Sequence, residues 1–171
     1  MTKEELIVKE LTPFLLKNIK TVDDMIPLLG KSVGALWERA LPIISGGKYK
    51  FIDENHHDMT DGTEAKTASV MPSPKKYKGK PGNHYPGSIT NVADYKGQFK
   101  TGDLRVAVYN PHVERVDYFY IPVEDIPSLA TKKPANEGTG INQYIRFGWN
   151  KLADSYTVID KYQVSLQEVA A

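Results

Sequence analysis

The sequence contains no cysteine, which excludes both disulfide bonds and zinc sites built from thiolates. Its net charge is only +1 over 171 residues, so any polyanionic partner must be held by local patches. No apolar run approaches the length of a membrane span. The charged N-terminal residues Lys3, Glu4 and Glu5 are not typical of a signal peptide. We therefore expect a cytoplasmic protein without a membrane partner.

The order of sequence patterns predicts one α+β domain over residues 1–171, with a helical part over 1–44 and a sheet over 45–171. Apolar residues at helical spacing predict an amphipathic helix over 2–19. Ser32 can cap a further helix that runs to Pro42. Apolar and aromatic runs at 104–109 and 116–122 predict a hairpin of central strands. The expected architecture is a mixed central sheet flanked by helices.

The stretch 58–66, Asp-Met-Thr-Asp-Gly-Thr-Glu-Ala-Lys, holds three carboxylates and one lysine. The residues that follow it favour a continuing strand. Because side chains alternate along a strand, Glu64 and Lys66 should share one face, with Ala65 on the other. This pattern is typical of a site where carboxylates and a lysine act on one substrate.

Carboxylates and a lysine in this pattern suit phosphodiester hydrolysis with Mg²⁺, which takes oxygen ligands. Asp58, or Asp61, and Glu64 can supply such ligands, and the carbonyl of Ala65 can add another. Lys66 can orient the nucleophilic water or contact the scissile phosphate. Mn²⁺ is expected to substitute for Mg²⁺. A zinc site at His56 and His57 is a different hypothesis, but neighbours in sequence rarely face one ion together.

Residues 72–87 change composition sharply and combine lysines with tyrosine, histidine, proline and glycine. No core can be built from this stretch. Its lysines can contact a phosphate backbone, and they would attract a polyanion that the neighbouring carboxylates repel. Residues 131–140, with two further lysines, are predicted to form a second loop.

Asp58 followed by Gly62-Thr63-Glu64-Ala65-Lys66-Thr67 resembles the Asp…Gly-x-Glu-x-Lys-Thr core of the PD-(D/E)xK nucleases. The pattern is most similar to the MutH-type mismatch-repair nicking endonuclease and related type II restriction enzymes. The segment 31–38 also resembles that family's Lys-x-x-Gly-x-x-x-Glu helix, which implies that Glu38 joins the metal site. Since the Asp58-to-Glu64 spacing is shorter than the family's, Asp61 or Asp53 remains an alternative first ligand.

The resemblance implies a restriction-endonuclease-like core and a magnesium-dependent endonuclease that cuts double-stranded DNA and leaves 5′-phosphate ends. Its implied catalytic residues are Glu38, Asp58, Glu64 and Lys66. The candidate DNA-binding residues are Lys75, Lys76, Lys78, Lys80, His84, Arg105, Lys132, Lys133 and Arg146. The alternative is an inactive DNA-binding or interaction module with the same fold. The sequence leaves open a monomer that nicks and a homodimer that cuts both strands.

Overall fold

Two helices form the described N-terminal part, α1 (Lys3–Asn18) and α2 (Val33–Ile44). The structure is a computed structural model that describes residues 3–21, 28, 31–54, 57–70, 84–85, 89–91, 102–134, 141–156 and 159–171. Both helices follow the expected pattern, because their apolar residues recur at helical spacing and are buried. Ser32 does occupy the N-cap position of α2, although its side chain makes no capping hydrogen bond.

Short strands and turns make up most of the remaining described chain. The first strands are β1 (Phe51–Glu54), β2 (His57–Met59), β3 (Glu64–Ser69), β4 (His84–Tyr85), β5 (Ile89–Asn91), β6 (Leu104–Asn110) and β7 (Arg115–Ile121). A 3₁₀ turn (Val123–Asp125) then leads into α3 (Ile126–Leu129). The later strands are β8 (Thr131–Pro134), β9 (Ile141–Arg146), β10 (Trp149–Asn150) and β11 (Ser155–Tyr156). The C-terminal part holds a 3₁₀ turn (Asp160–Tyr162), β12 (Gln163–Val164) and α4 (Leu166–Val169).

The central sheet has four strands in the order β12-β7-β6-β3. β6 and β7 pair antiparallel as the expected hairpin, from Leu104 opposite Ile121 to Asn110 opposite Arg115. β3 pairs parallel with β6, and β12 pairs antiparallel with β7. The orientation is therefore mixed, which confirms the predicted class of an α+β protein with a mixed central sheet and helices.

The two faces of this sheet bury different cores. The face toward the helices, called here the helix face, packs Ala65, Ala107 and Tyr118 against residues of α1, α2 and α4. Trp37 of α2 is fully buried there, and its ring stacks on that of Tyr118 with 5.5 Å between the ring centres. The opposite face packs residues of the sheet against β9, β10 and β11, and its buried members include Ala68, Val106, Val108, Phe119, Phe147, Trp149 and Tyr156. The central strands thus read as nearly continuous apolar runs because both faces are covered.

The prediction of a loop over 131–140 is wrong for its first four residues. Thr131–Pro134 forms β8 and pairs antiparallel with β9 in a second sheet, ordered β5-β9-β8. Lysines are common on edge strands, where their charge discourages pairing with other chains. Lys132 and Lys133 are therefore compatible with an edge strand as well as with a loop.

Candidate functional site

A tight turn brings Asp58 beside the start of β3. The backbone amides of Asp58 and Met59 both donate to the Thr63 carbonyl, at 3.0 and 3.1 Å. The Gly62 amide donates to the Met59 carbonyl at 2.9 Å, and Gly62 adopts a φ of +85°, which favours glycine. As a result, Oδ2 of Asp58 accepts a 2.9 Å hydrogen bond from the Ala65 amide. Asp58 is thus bound to the strand that carries the other predicted catalytic residues.

Glu64 and Lys66 project from one face of β3 and form an ion pair through Oε1 and Nζ. This confirms the prediction that they share a face, and Ala65 is buried in the core of the helix face. Glu64 is buried, whereas 30% of the Lys66 side chain is exposed. The pair therefore combines a fixed carboxylate with an ammonium that a substrate can reach.

The two carboxylates leave oxygens for a cation. Asp58 uses Oδ2 and Glu64 uses Oε1 in the contacts above. Oδ1 of Asp58 and Oε2 of Glu64 make no hydrogen bond with any residue that the structure describes. Such oxygens are the ligands that Mg²⁺ prefers. Asp58 and Glu64 therefore each keep one carboxylate oxygen that a cation could use.

The direction of the Ala65 carbonyl follows from the register of β3. The amides of Glu64 and Val70 donate to carbonyls of the β6 side, Asp103 and Tyr109, each at 2.9 Å. In a parallel pair, alternate residues direct their peptide groups to the neighbouring strand. The N–H and the carbonyl of Ala65 therefore both point away from β6, toward the edge of β3 where Asp58 lies. The carbonyl predicted as an additional ligand lies on that edge of β3.

Glu38 lies on α2, which packs against the helix face of the sheet, whereas Glu64 and Lys66 project from the opposite face. Glu38 is half-buried and has an interaction partner. Within the described ranges, no group of three or more histidine, aspartate and glutamate side chains could hold a metal ion. The structure thus presents a pair of carboxylates, Asp58 and Glu64, and does not add Glu38 to them as a third ligand.

The alternative first ligand Asp61 has another use in the structure. Its Oδ1 accepts hydrogen bonds from the Thr63 amide at 3.1 Å and from the Thr63 hydroxyl at 2.7 Å. Its Oδ2 lies 2.9 Å from Nη1 of Arg105. Burial acts against ionisation, but the Thr63 hydrogen bonds and Arg105 together hold the pKa of Asp61 below its ordinary value. Asp61 therefore stabilises the turn through both of its carboxylate oxygens, whereas Asp58 uses only Oδ2 in a hydrogen bond with the described residues.

Arg105 is not placed to contact DNA, so its assignment to the DNA-binding set is wrong. Only 4% of the residue is exposed. Its Nε donates to the Val169 carbonyl at 2.8 Å, and its guanidinium lies 4.3 Å from the centre of the Tyr49 ring. A buried guanidinium with these partners cannot reach a phosphate in solution.

The other predicted DNA-binding residues lie in several places. Lys75, Lys76, Lys78 and Lys80 are outside the described residues. The backbones of His84, Lys132 and Lys133 lie in β4 and β8, but their side chains are not described. Arg146 ends β9 and is exposed, as a phosphate contact requires. The side chain of Asp53, the other alternative ligand, is likewise outside the description, although its backbone lies in β1.

Sequence reasoning missed two long-range contacts, one made by Arg105 to this turn and one made by Tyr49, whose ring lies beside Arg105. Thr63 accepts from Arg105, and the Tyr49 hydroxyl donates to the Ala170 carbonyl at 3.1 Å. These partners lie 42 and 121 residues apart in sequence, so no local pattern joins them. One signal was present, since an arginine inside the apolar strand Leu104–Asn110 is typical of a buried and paired charge.

No known protein-family model matches this sequence. A comparison with curated proteins likewise found no similar protein. Among the helices of the described ranges, none is both long and apolar enough to span a bilayer. The geometry of residues 58–66 and their surroundings is therefore the basis for a functional proposal.

Proposed function

We propose that this protein is a magnesium-dependent DNA endonuclease with a restriction-endonuclease-like core of the PD-(D/E)xK type. The observation that supports the proposal is the arrangement at the start of β3. Asp58 is bound to the Ala65 amide, and Glu64 is buried beside the partly exposed Lys66. Two carboxylates and an accessible ammonium are groups that can support metal-dependent phosphodiester hydrolysis.

The residues have distinct roles in this proposal. Asp58 and Glu64 bind Mg²⁺, which when present lowers the pKa of the attacking water and neutralises charge on the phosphate. The Ala65 amide fixes the orientation of the Asp58 carboxylate. Lys66 orients the water or contacts the scissile phosphate, and its ion pair with Glu64 holds its Nζ close to the site. The expected products carry 5′-phosphate and 3′-hydroxyl ends.

Double-stranded DNA is the proposed substrate because Lys75, Lys76, Lys78 and Lys80 follow β3 closely in sequence. Lysines near the site raise the local concentration of a polyanion, which the carboxylates alone would repel. The exposed Arg146 is a further candidate for a phosphate contact. Binding is therefore expected to weaken steeply as salt concentration rises.

Cleavage of a mixed DNA substrate tests the proposal. Supercoiled plasmid, mismatched duplex and branched DNA are incubated with Mg²⁺ or Mn²⁺, and the product ends are sequenced. Glu64→Gln and Lys66→Ala should each lower the cleavage rate by about 10²- to 10⁴-fold, as expected for the loss of one catalytic group. The matched controls Glu124→Gln and Lys151→Ala make the same chemical changes at exposed positions and should cut at the wild-type rate.

An inactive DNA-binding module with the same fold is the second candidate. It is favoured by one observation, namely that the described chain offers two carboxylates and not a group of three potential ligands. A gel-shift assay on the same substrates separates the two candidates. Retarded DNA that is never cut with Mg²⁺ or Mn²⁺ would identify the module and exclude the endonuclease.

A further inference from the structure

Arg105 joins three separate parts of the chain. Its Nη1 pairs with Asp61 and donates to the Thr63 hydroxyl, while its Nε donates to the Val169 carbonyl. Its backbone carbonyl accepts a 3.2 Å hydrogen bond from Nε1 of Trp37. The planar guanidinium suits this position, because its fork of donors can serve several acceptors at fixed angles.

The contacts of Arg105 lead directly to the carboxylate site. Thr63, which Arg105 and Asp61 both hold through its hydroxyl, also accepts the backbone amides of Asp58 and Met59 at its carbonyl. The position of Thr63 therefore sets where β2 ends relative to the start of β3. That relation decides whether the Asp58 carboxylate can reach the Ala65 amide.

We propose that Arg105 is a positioning residue, which holds Thr63 and Asp61 so that Asp58 stays bound to the Glu64–Ala65 peptide. Its consequence for metal binding rests on the proposed endonuclease function. The effect of Arg105 on the Asp58–Ala65 hydrogen bond is independent of that proposed function. Arg105 makes no hydrogen bond or ion pair with the described side chains of Glu64 and Lys66, so it acts through the turn over 59–63.

A purely stabilising role is the rival explanation, because any buried ion pair resists the loss of one partner. The two explanations differ in where the damage appears. General destabilisation lowers the protection of all core amides together, whereas loss of positioning frees the Ala65 amide before the rest of the sheet. Arg115 and Asp117 provide a control, since they form a second arginine–aspartate pair, at the far end of the β6–β7 hairpin. In that pair the carboxylate is the buried partner, whereas in the Arg105–Asp61 pair it is the arginine.

Amide hydrogen exchange is measured by NMR on the wild type, Arg105→Lys, Asp61→Asn and the control Asp117→Asn. Lysine keeps the charge of Arg105 but cannot serve Thr63, Asp61 and Val169 together. We expect exchange of the Ala65 amide to accelerate by about tenfold or more relative to the Val106 and Phe119 amides in the first two variants. Asp117→Asn should leave this ratio unchanged. An unchanged ratio in both Arg105→Lys and Asp61→Asn overturns the proposal, and Asp61→Asn alone decides if Arg105→Lys does not fold.

Calorimetric titration with Mn²⁺ on the same four proteins separates this inference from the proposed function. Weaker Mn²⁺ binding in Arg105→Lys and Asp61→Asn, with wild-type affinity in Asp117→Asn, supports both. If the wild type binds no Mn²⁺ while Ala65 exchange still responds to Arg105, the endonuclease proposal fails and the positioning role stands. If all four proteins bind Mn²⁺ equally and the Ala65 exchange ratio does not change, the positioning role fails and the metal site stands.

Discussion

Replacing Gly102 by alanine tests the closest backbone contact beside the candidate site. A Cβ at this position would lie 1.9 Å from the Gly62 carbonyl oxygen and 2.9 Å from its carbonyl carbon. Normal non-bonded contacts begin near 3.5 Å, so the two segments would have to separate by roughly 1.5 Å. Gly62 cannot move freely, since its amide is bound to Met59 and its φ is +85°.

Overpacking costs about 1–3 kcal/mol, and the upper end applies here because the obstacle is backbone. For a chain of this size, about 3 kcal/mol corresponds to a melting temperature roughly 6–12 °C lower. Urea unfolding can be followed by the fluorescence of Trp37 and Trp149, which are both fully buried. We expect a lower urea midpoint with an unchanged slope. Under the proposed endonuclease function, DNA cleavage should also be lost, because Gly62 precedes the residues of the site.

Gly34→Ala is the matched control for this substitution. A Cβ on Gly34 would lie 3.6 Å from the Thr67 hydroxyl, which is an ordinary contact. Since Gly34 lies in α2, alanine should stabilise the protein by about 0.5–1 kcal/mol. A Gly102→Ala protein that unfolds at the wild-type urea concentration would show that residues 62 and 102 do not approach each other as described.

Three further predictions concern stability. Phe119 is fully buried and packs edge-on against Tyr156 at 5.0 Å, so Phe119→Ala should lower the free energy of unfolding by about 3–5 kcal/mol in a urea titration. Burial raises the pKa of Tyr49 to about 12, and burial with the Asp103 hydrogen bond raises that of Tyr120 to about 12. Both pKa values exceed the ordinary 10.0, so the stability that comes from keeping Tyr49 and Tyr120 neutral should be complete below pH 10 and should decline as pH rises toward 12. The tyrosinate absorbance of these two residues should develop only as pH approaches 12. Absorbance that develops fully near pH 10 in the folded protein would contradict the raised pKa values. Ser165 caps α4 through a capping box, so Ser165→Ala should cost about 1 kcal/mol, and an unchanged melting temperature would count against the cap.

Local periodicity was sufficient to predict the helices and strands that form from residues close in sequence. The helix over 3–18, the helix that begins after Ser32 and the β6–β7 hairpin all follow from apolar spacing within one segment. The shared face of Glu64 and Lys66 likewise follows from strand alternation alone. The strand Thr131–Pro134 was missed because its lysines resemble a loop and its pairing with β9 is a tertiary property.

The candidate site was predictable in composition but not in its internal contacts. Asp58, Glu64 and Lys66 lie close together because they are close in sequence. Asp61 stabilises the turn and Asp58 binds the Ala65 amide, and this difference depends on Arg105. The pairing of Arg105 with Asp61 requires the parallel register of β3 and β6. Resemblance could name Glu38 as a third ligand, but helix packing places α2 on the helix face of the sheet.

The parallel pairing of β3 with β6 also has a kinetic consequence. It joins residues whose numbers differ by 40, from Glu64 with Leu104 to Ser69 with Tyr109, whereas β6 and β7 meet across a short turn. Loop-closure entropy disfavours early formation of such a distant contact, so the β6–β7 hairpin should assemble first and β3 should dock on it later. Asp58 and Glu64 would then be brought into their final geometry only near the end of folding. A chain that is still being synthesised should therefore lack the carboxylate site until the residues of β6 have emerged.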